Sequence, residues 1–143
     1  MRLLQRKSAG SFEFTGDLME NVPKYAILSH TWLADDKEVT FKDMKRGRAQ
    51  RKPAGFHKIN FCGEQAAKDG PEYLWVDTCC INKSSSAELQ ESIMTMFHWY
   101  RKSTKCYVYL ADVSLSEAPV TNEAHSQSWV SAFLNSRWFT RGW

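Results

Sequence analysis

The segment Val76-Asp77-Thr78-Cys79-Cys80-Ile81-Asn82-Lys83 places a carboxylate and two adjacent thiols directly after an apolar run. These residue types serve metal binding, nucleophilic attack and acid–base chemistry. Neighbouring residues on an extended strand point to opposite faces, so Cys79 and Cys80 cannot grip one tetrahedral ion if the strand runs through them. No C-x-x-C pair exists, the other cysteines (Cys62 and Cys106) fall on other predicted elements, and the four histidines are scattered. A reactive thiolate needs an electropositive setting and an identifiable base, and the sequence supplies neither. The cysteines are therefore expected to be buried, reduced thiols.

Polar residues at the ends of apolar runs are more informative. Tyr25-Ala26-Ile27-Leu28-Ser29-His30, Tyr73-Leu74-Trp75-Val76-Asp77-Thr78 and Lys105-Cys106-Tyr107-Val108-Tyr109-Leu110 read as strands, nearly continuous in apolar character as expected when both faces are covered. A short leading strand is expected near Arg2-Leu3-Leu4. In parallel α/β sheets, ligands bind outside the carboxyl ends of strands. That rule puts Ser29, His30, Thr31 and Trp32, then Asp77, then Asp112, along one border. Asp77 reads either as a structural acceptor for amides and hydroxyls or as a functional carboxylate, since a buried charge needs partners in both cases. His30 is open between a hydrogen-bonded core histidine and a base, and Trp32 between stacking on a ligand and closing the strand edge.

Helical patterns alternate with these runs. Phe56, Ile59, Cys62 or Gly63, and Ala66 share one face, and Lys68-Asp69-Gly70-Pro71 supplies a stop. Ser85 and Glu88 have the spacing of a capping box, and Leu89, Ile93, Met96, Phe97 and Tyr100 follow as one apolar stripe assigned to the core. Ser114 to Ser126 reads as a surface loop with Pro119, followed by a helix carrying Trp129, Val130, Phe133 and Leu134. The pattern predicts one domain over residues 1–143, of doubly wound α/β type. Three strands make a thin sheet for that architecture, so a C-terminal truncation is expected.

At 43% hydrophobic and 24% charged residues the chain is an ordered globular sequence. A net charge of +3 does not argue for nucleic acid, and the basic run Lys45-Arg46-Gly47-Arg48-Ala49-Gln50-Arg51-Lys52 is read as a solvated loop. No run reaches the roughly 18 apolar residues of a membrane span, and no signal peptide is evident. A cytoplasmic location is expected.

Three ordered motifs carry a resemblance that spans essentially the whole chain. Lys24 to Trp32 (KYAILSHTW), Tyr73 to Lys83 (YLWVDTCCINK) with Glu88-Leu89 after it, and Ser136 to Trp143 (SRWFTRGW) closely resemble the fungal heterokaryon incompatibility (HET) domain. Likeness to that family implies a role in fungal non-self recognition and programmed cell death. HET domains are in turn similar to Toll/interleukin receptor (TIR) domains, which implies a flavodoxin-like parallel sheet with helices on both faces. Some TIR members cleave NAD through a glutamate closing the pattern S-x6-W-C-x-x-E. Ser136 and Trp143 match the serine and tryptophan, and the glutamate would fall beyond residue 143. Leu33 and Asn82 depart from the family, which usually has glycine and aspartate there.

Two functions follow from the resemblance. The first is a signalling and assembly module, acting by self-association or with other cell-death proteins. The second is an NAD-cleaving enzyme in which Ser29, His30, Trp32, Asp77, Ser136 and Trp143 shape the ligand pocket, with NAD as substrate and no resident cofactor or metal. On the second reading the 143-residue chain alone is expected to be inactive. A third reading is an inactive gene fragment.

Overall fold

The computed structural model describes residues 1–7, 10–114 and 123–140. Its centre is a five-stranded mixed sheet: β1 (Leu4–Arg6), β2 (Phe12–Phe14), β3 (Tyr25–His30), β4 (Tyr73–Trp75) and β5 (Lys105–Tyr109), in the order β2-β1-β4-β3-β5. β3 pairs in parallel with β4 (Ala26 opposite Leu74) and with β5 (Ile27 opposite Cys106). The expected sheet was wholly parallel. Instead β1 runs antiparallel to both β2 and β4, so a hairpin extends the layer beyond β4. The leading strand forms slightly later than Arg2-Leu3-Leu4, and β2 had no sequence signal because Phe12-Glu13-Phe14 is only three residues long.

The connections are helical, as strands joined in parallel require. After β3 come a short helix α1 (Phe41–Lys45), a 3-10 turn at Ala49–Arg51 and the long α2 (Pro53–Asp69). Pro53 begins α2, where its missing N–H costs nothing. Gly70 ends it in the left-handed region (φ 104°), donating its N–H to Ala66 O at 2.9 Å. Gly55 lies where α2 passes the Lys37–Val39 backbone so closely that a Cβ would stand 2.5 Å from Lys37 O.

β4 stops at Trp75, three residues before its expected end. Val76 is still extended, but Asp77–Cys80 turns into one helical turn, α3, with Cys80 N donating to Val76 O at 2.8 Å. Cys79 and Cys80 are thus not on opposite faces of a strand; both are nevertheless buried, as are Cys62 and the rest of the Val76–Ile81 segment.

α4 (Ser86–Lys102) returns the chain to β5. Ser85 caps it by accepting from Glu88 N. The expected reciprocal half is missing, because the Glu88 carboxylate takes the Asn82 N–H (2.8 Å) and the Arg2 guanidinium (3.2 Å) instead. A complete capping box forms at Thr40 and Asp43, at the start of α1.

One face of the sheet is covered by α4. Trp75 meets Trp99 and Tyr100 edge-on at 5.4 and 6.1 Å, and the Tyr25 hydroxyl donates to Trp99 O at 2.6 Å. α2 covers the other face, where Phe61 packs on Tyr109. The apolar stripe of α4 is wider than its footprint on the sheet. Leu89, Met96 and Tyr100 pack on the core, whereas Ile93 and Phe97, also assigned to the core, are 61% and 75% exposed. β5 likewise differs from expectation: it lies at the sheet edge, and Cys106 and Val108 are exposed. α5 (Glu123–Leu134) begins inside the segment read as a loop, and Trp129, Val130, Phe133 and Leu134 on it are exposed. Pro119 and Trp143 lie outside the described residues. No helix among the described residues is long and apolar enough to cross a membrane.

Candidate functional site

Because β3, β4 and β5 are mutually parallel, their carboxyl ends share one border of the sheet. His30 is the last residue of β3, Asp77 follows β4, and Asp112 follows β5. Successive strand residues alternate in direction, so Ser29 and His30 open onto opposite faces. Two clusters result.

The first is buried on the α2 side. His30 (1% exposed) sits with Nε2 2.8 Å from Asp77 Oδ1, and Trp32 Nε1 donates to Asp77 Oδ2 at 2.8 Å. The turn into α3 after Val76 is what brings the Asp77 carboxylate there. Lys58, from the middle of α2, points its ammonium at three acceptors: His30 Nδ1 (2.8 Å), Thr31 O (3.1 Å) and Glu38 Oε2 (2.7 Å). An ammonium has only hydrogens to give, so Nδ1 must accept and Nε2 must carry the hydrogen donated to Asp77. Glu38 Oε2 also accepts from Leu33 N at 2.8 Å, closing the loop after β3, and Lys52 Nζ donates to Glu38 O at 2.7 Å.

Charge is balanced within this cluster. Glu38 faces Lys58, and Asp77 lies near Lys83, whose ammonium stands 3.6 Å from the centroid of the Trp32 ring. Burial alone would raise the Asp77 carboxyl, but the hydrogen bonds from His30 and Trp32 and the charge of Lys83 outweigh it and hold the group below the ordinary range. Burial lowers the Lys58 ammonium, against the opposing pull of Glu38 and Asp77. Burial also pushes the Cys79 thiol well above its ordinary value, the opposite of what a nucleophilic cysteine needs. Both nitrogens of His30 are occupied, so this imidazole is a tie between β3, α2 and α3 rather than a free base. Thr78 Oγ1 and Glu38 Oε1 are buried without a hydrogen-bond partner among the described residues.

The second cluster lies on the opposite face. Trp138 Nε1 donates to Ser29 Oγ at 3.0 Å. Ser136 Oγ donates to Asp112 Oδ1 at 2.7 Å, and Arg137 N donates to Asp112 Oδ2 at 2.8 Å. These bonds fasten the 3-10 turn Arg137–Thr140 to the ends of β3 and β5. The Arg137 amide and the Ser136 hydroxyl hold the Asp112 carboxyl below its ordinary range.

Of the six residues proposed from sequence, His30, Trp32 and Asp77 come together in the first cluster, Ser29 and Ser136 belong to the second, and Trp143 is outside the described residues. Lys58, Glu38, Lys83 and Trp138 were missed. Lys58 had a legible signal: it falls between Gly55 and Cys62 on the buried face of α2, three residues after one and four before the other. Glu38 had none. Leu33, flagged because glycine is usual there, does not adopt a positive φ, so leucine fits without backbone strain. Among the described residues no group of three or more His, Cys, Asp or Glu is arranged to hold a metal.

Trp32 is the reachable part of the first cluster, 51% exposed with its N–H fixed by Asp77. The Lys83 ammonium covers one face of this indole, 3.6 Å from the ring centroid, so a ligand would stack on the other face with a positive charge behind the ring.

Comparison with known proteins agrees with these motifs. The family model described as heterokaryon incompatibility protein (HET) matches residues 25–128, which include β3, β4, β5 and the first cluster. The vegetative incompatibility protein HET-E-1 of Podospora anserina is 54% identical over 144 residues, covering 100% of this chain and 10% of that protein. The chain thus spans about a tenth of the length of the curated relative it matches. No solved structure matches it. The family match over most of the chain and the identity along its whole length place this chain in the heterokaryon incompatibility (HET) family.

Proposed function

We propose that this HET domain is a signalling module of fungal heterokaryon incompatibility, the non-self response that ends in programmed cell death, and that it signals by self-association. Similarity to a vegetative incompatibility protein supports the biological role. The observation that carries the mode of action is the outward face of α4, where Ile93, Met94 and Phe97 are 61%, 79% and 75% exposed. Ile93 and Phe97 are one helical turn apart and form a continuous apolar surface. Apolar area of this kind marks contact sites, each Å² removed from water being worth about 25 cal/mol. β5 adds an outer edge with unpaired backbone groups among the described residues, a second means of joining chains. The test uses the full-length protein in a fungal host. Ile93→Ser with Phe97→Ser should abolish death on confrontation with an incompatible strain while protein level is kept, and undiminished death would refute the proposal.

A second reading, NAD cleavage, is favoured by the order of the parallel strands. Counted along the chain, β3, β4 and β5 lie in the order 2-1-3, with which flavodoxin-like sheets begin, and ligands of such sheets bind where the order reverses. That point is the carboxyl end of β3 beside β5, where Ser29, Asp112, Ser136 and Trp138 gather. Trp32, Asp77 and His30 would line the neighbouring border, with the catalytic glutamate outside residues 1–143. This reading predicts NAD consumption by the full-length protein and none by the 143-residue chain; turnover by the short chain would overturn the placement of the glutamate.

A further inference from the structure

The basic run read as a solvated loop does not project uniformly into water. Phe41, Lys42, Lys45 and Arg46 of α1 and the residue after it form one wall of a cleft of 520 Å³, and Asn82 and Ser84 form the other. We infer that this cleft binds the diphosphate group of a soluble ligand, held by Lys42, Lys45 and Arg46 and by the side-chain amide of Asn82.

Uncompensated charge is the first argument. Lys42, Lys45 and Arg46 make no ion pair among the described residues. The carboxylates nearest in the chain and fold are already used. Asp43 accepts from Thr40 and pairs with Lys52 at 3.0 Å, and Glu88 pairs with Arg2 at 3.2 Å. Three cations thus share a concave surface with no free acid, an arrangement that raises the potential for an anion. A diphosphate, multiply charged with several acceptor oxygens, matches three cations lining one cleft better than a single carboxylate does.

Preorganisation is the second argument. Lys45 is drawn to the Phe41 ring, its ammonium 5.8 Å from the centroid, and the same ring is backed by the Arg2 guanidinium at 4.6 Å. On the opposite wall, Asn82 Oδ1 accepts from both Ser84 N (3.3 Å) and Ser84 Oγ (2.6 Å). That fixes the amide so that its Nδ2, which donates to no described residue, is free to give hydrogens to a ligand. A side-chain amide donor held in place among three cations is the makeup of a binding cleft. Arg48 and Arg51, which also make no ion pair among the described residues, extend the positive field beyond it.

The probes are inorganic pyrophosphate and ADP, titrated calorimetrically into the 143-residue chain at low salt, with phosphoinositide vesicles as a separate arm. The expected result is saturable one-to-one binding that weakens about tenfold or more in Lys42→Ala/Lys45→Ala/Arg46→Ala, as loss of charge-assisted bonds requires. Binding should be unchanged in the equally charged remote control Lys24→Ala/Arg101→Ala/Lys102→Ala. Asn82→Ala, which removes no charge, should weaken binding several-fold, and thermal melts check that each variant folds. No saturable binding, equal weakening by both triple variants, or vesicle capture without pyrophosphate binding would each overturn the assignment.

Discussion

Lys58 Nζ lies 2.8 Å from His30 Nδ1, and this one contact sets the state of the whole buried cluster. With Nδ1 accepting from the Lys58 ammonium, Nε2 carries the hydrogen given to Asp77. The helix α2, the end of β3 and the turn after β4 are thereby tied through three side chains, with Glu38 adding the loop after β3.

Lys58→Met should therefore destabilise the domain by about 3 kcal/mol, because it leaves the Glu38 carboxylate buried without its cation. Chemical denaturation followed by tryptophan fluorescence measures it. Glu38→Gln combined with Lys58→Met should recover part of the loss, since removing both charges costs less than stranding one.

Asp77 makes stability depend on acid. Its carboxyl is held below its ordinary value in the fold, so its contribution is complete above the unfolded carboxyl's value of about 4 and is lost as the pH falls through the folded value. Asp77→Asn should be less stable than wild type at neutral pH by about 3 kcal/mol, as a charge-assisted pair is lost from a buried site. The gap should narrow as the pH is lowered below about 4. A gap that stays constant down to acid unfolding would mean that the carboxylate is not the group being titrated.

Ser29 and Trp138 are 109 positions apart in sequence and joined at 3.0 Å. A double-mutant cycle with Ser29→Ala and Trp138→Phe should give a coupling energy of about 1 kcal/mol, the ordinary value of a neutral hydrogen bond. Zero coupling would show that the turn carrying Trp138 is not fastened to β3.

What could be read from the sequence followed the reach of each physical signal. β3 and α2 were legible because a long apolar run and a glycine–proline stop are local features. The alternation of strand and helix gave the parallel trio, and with it the shared border that carries Ser29, Asp77 and Asp112. The hairpin was not legible: β1 and β2 are three residues each, and their pairing is fixed by contacts with β4, far along the chain. α4 was found with the right start and partly the wrong face, because helical period shows where apolar residues align and not how wide a strip the sheet covers. Phe97 fits the stripe as well as Met96 does, yet only Met96 is buried. The Glu88 carboxylate was matched to Ser85 by spacing, and long-range Arg2 won it. His30, Trp32 and Asp77 were found by position after strands, whereas Glu38 lies in a loop whose sequence resembles any polar loop.

The claim that this domain signals by self-association through α4 is tested most directly by sedimentation of the purified chain across a concentration series, wild type beside Ile93→Ser/Phe97→Ser. Wild type should shift to larger species as concentration rises, and the variant, folded by circular dichroism, should remain a monomer throughout. A wild-type chain that stays monomeric at every concentration, or a variant that associates equally well, would contradict it.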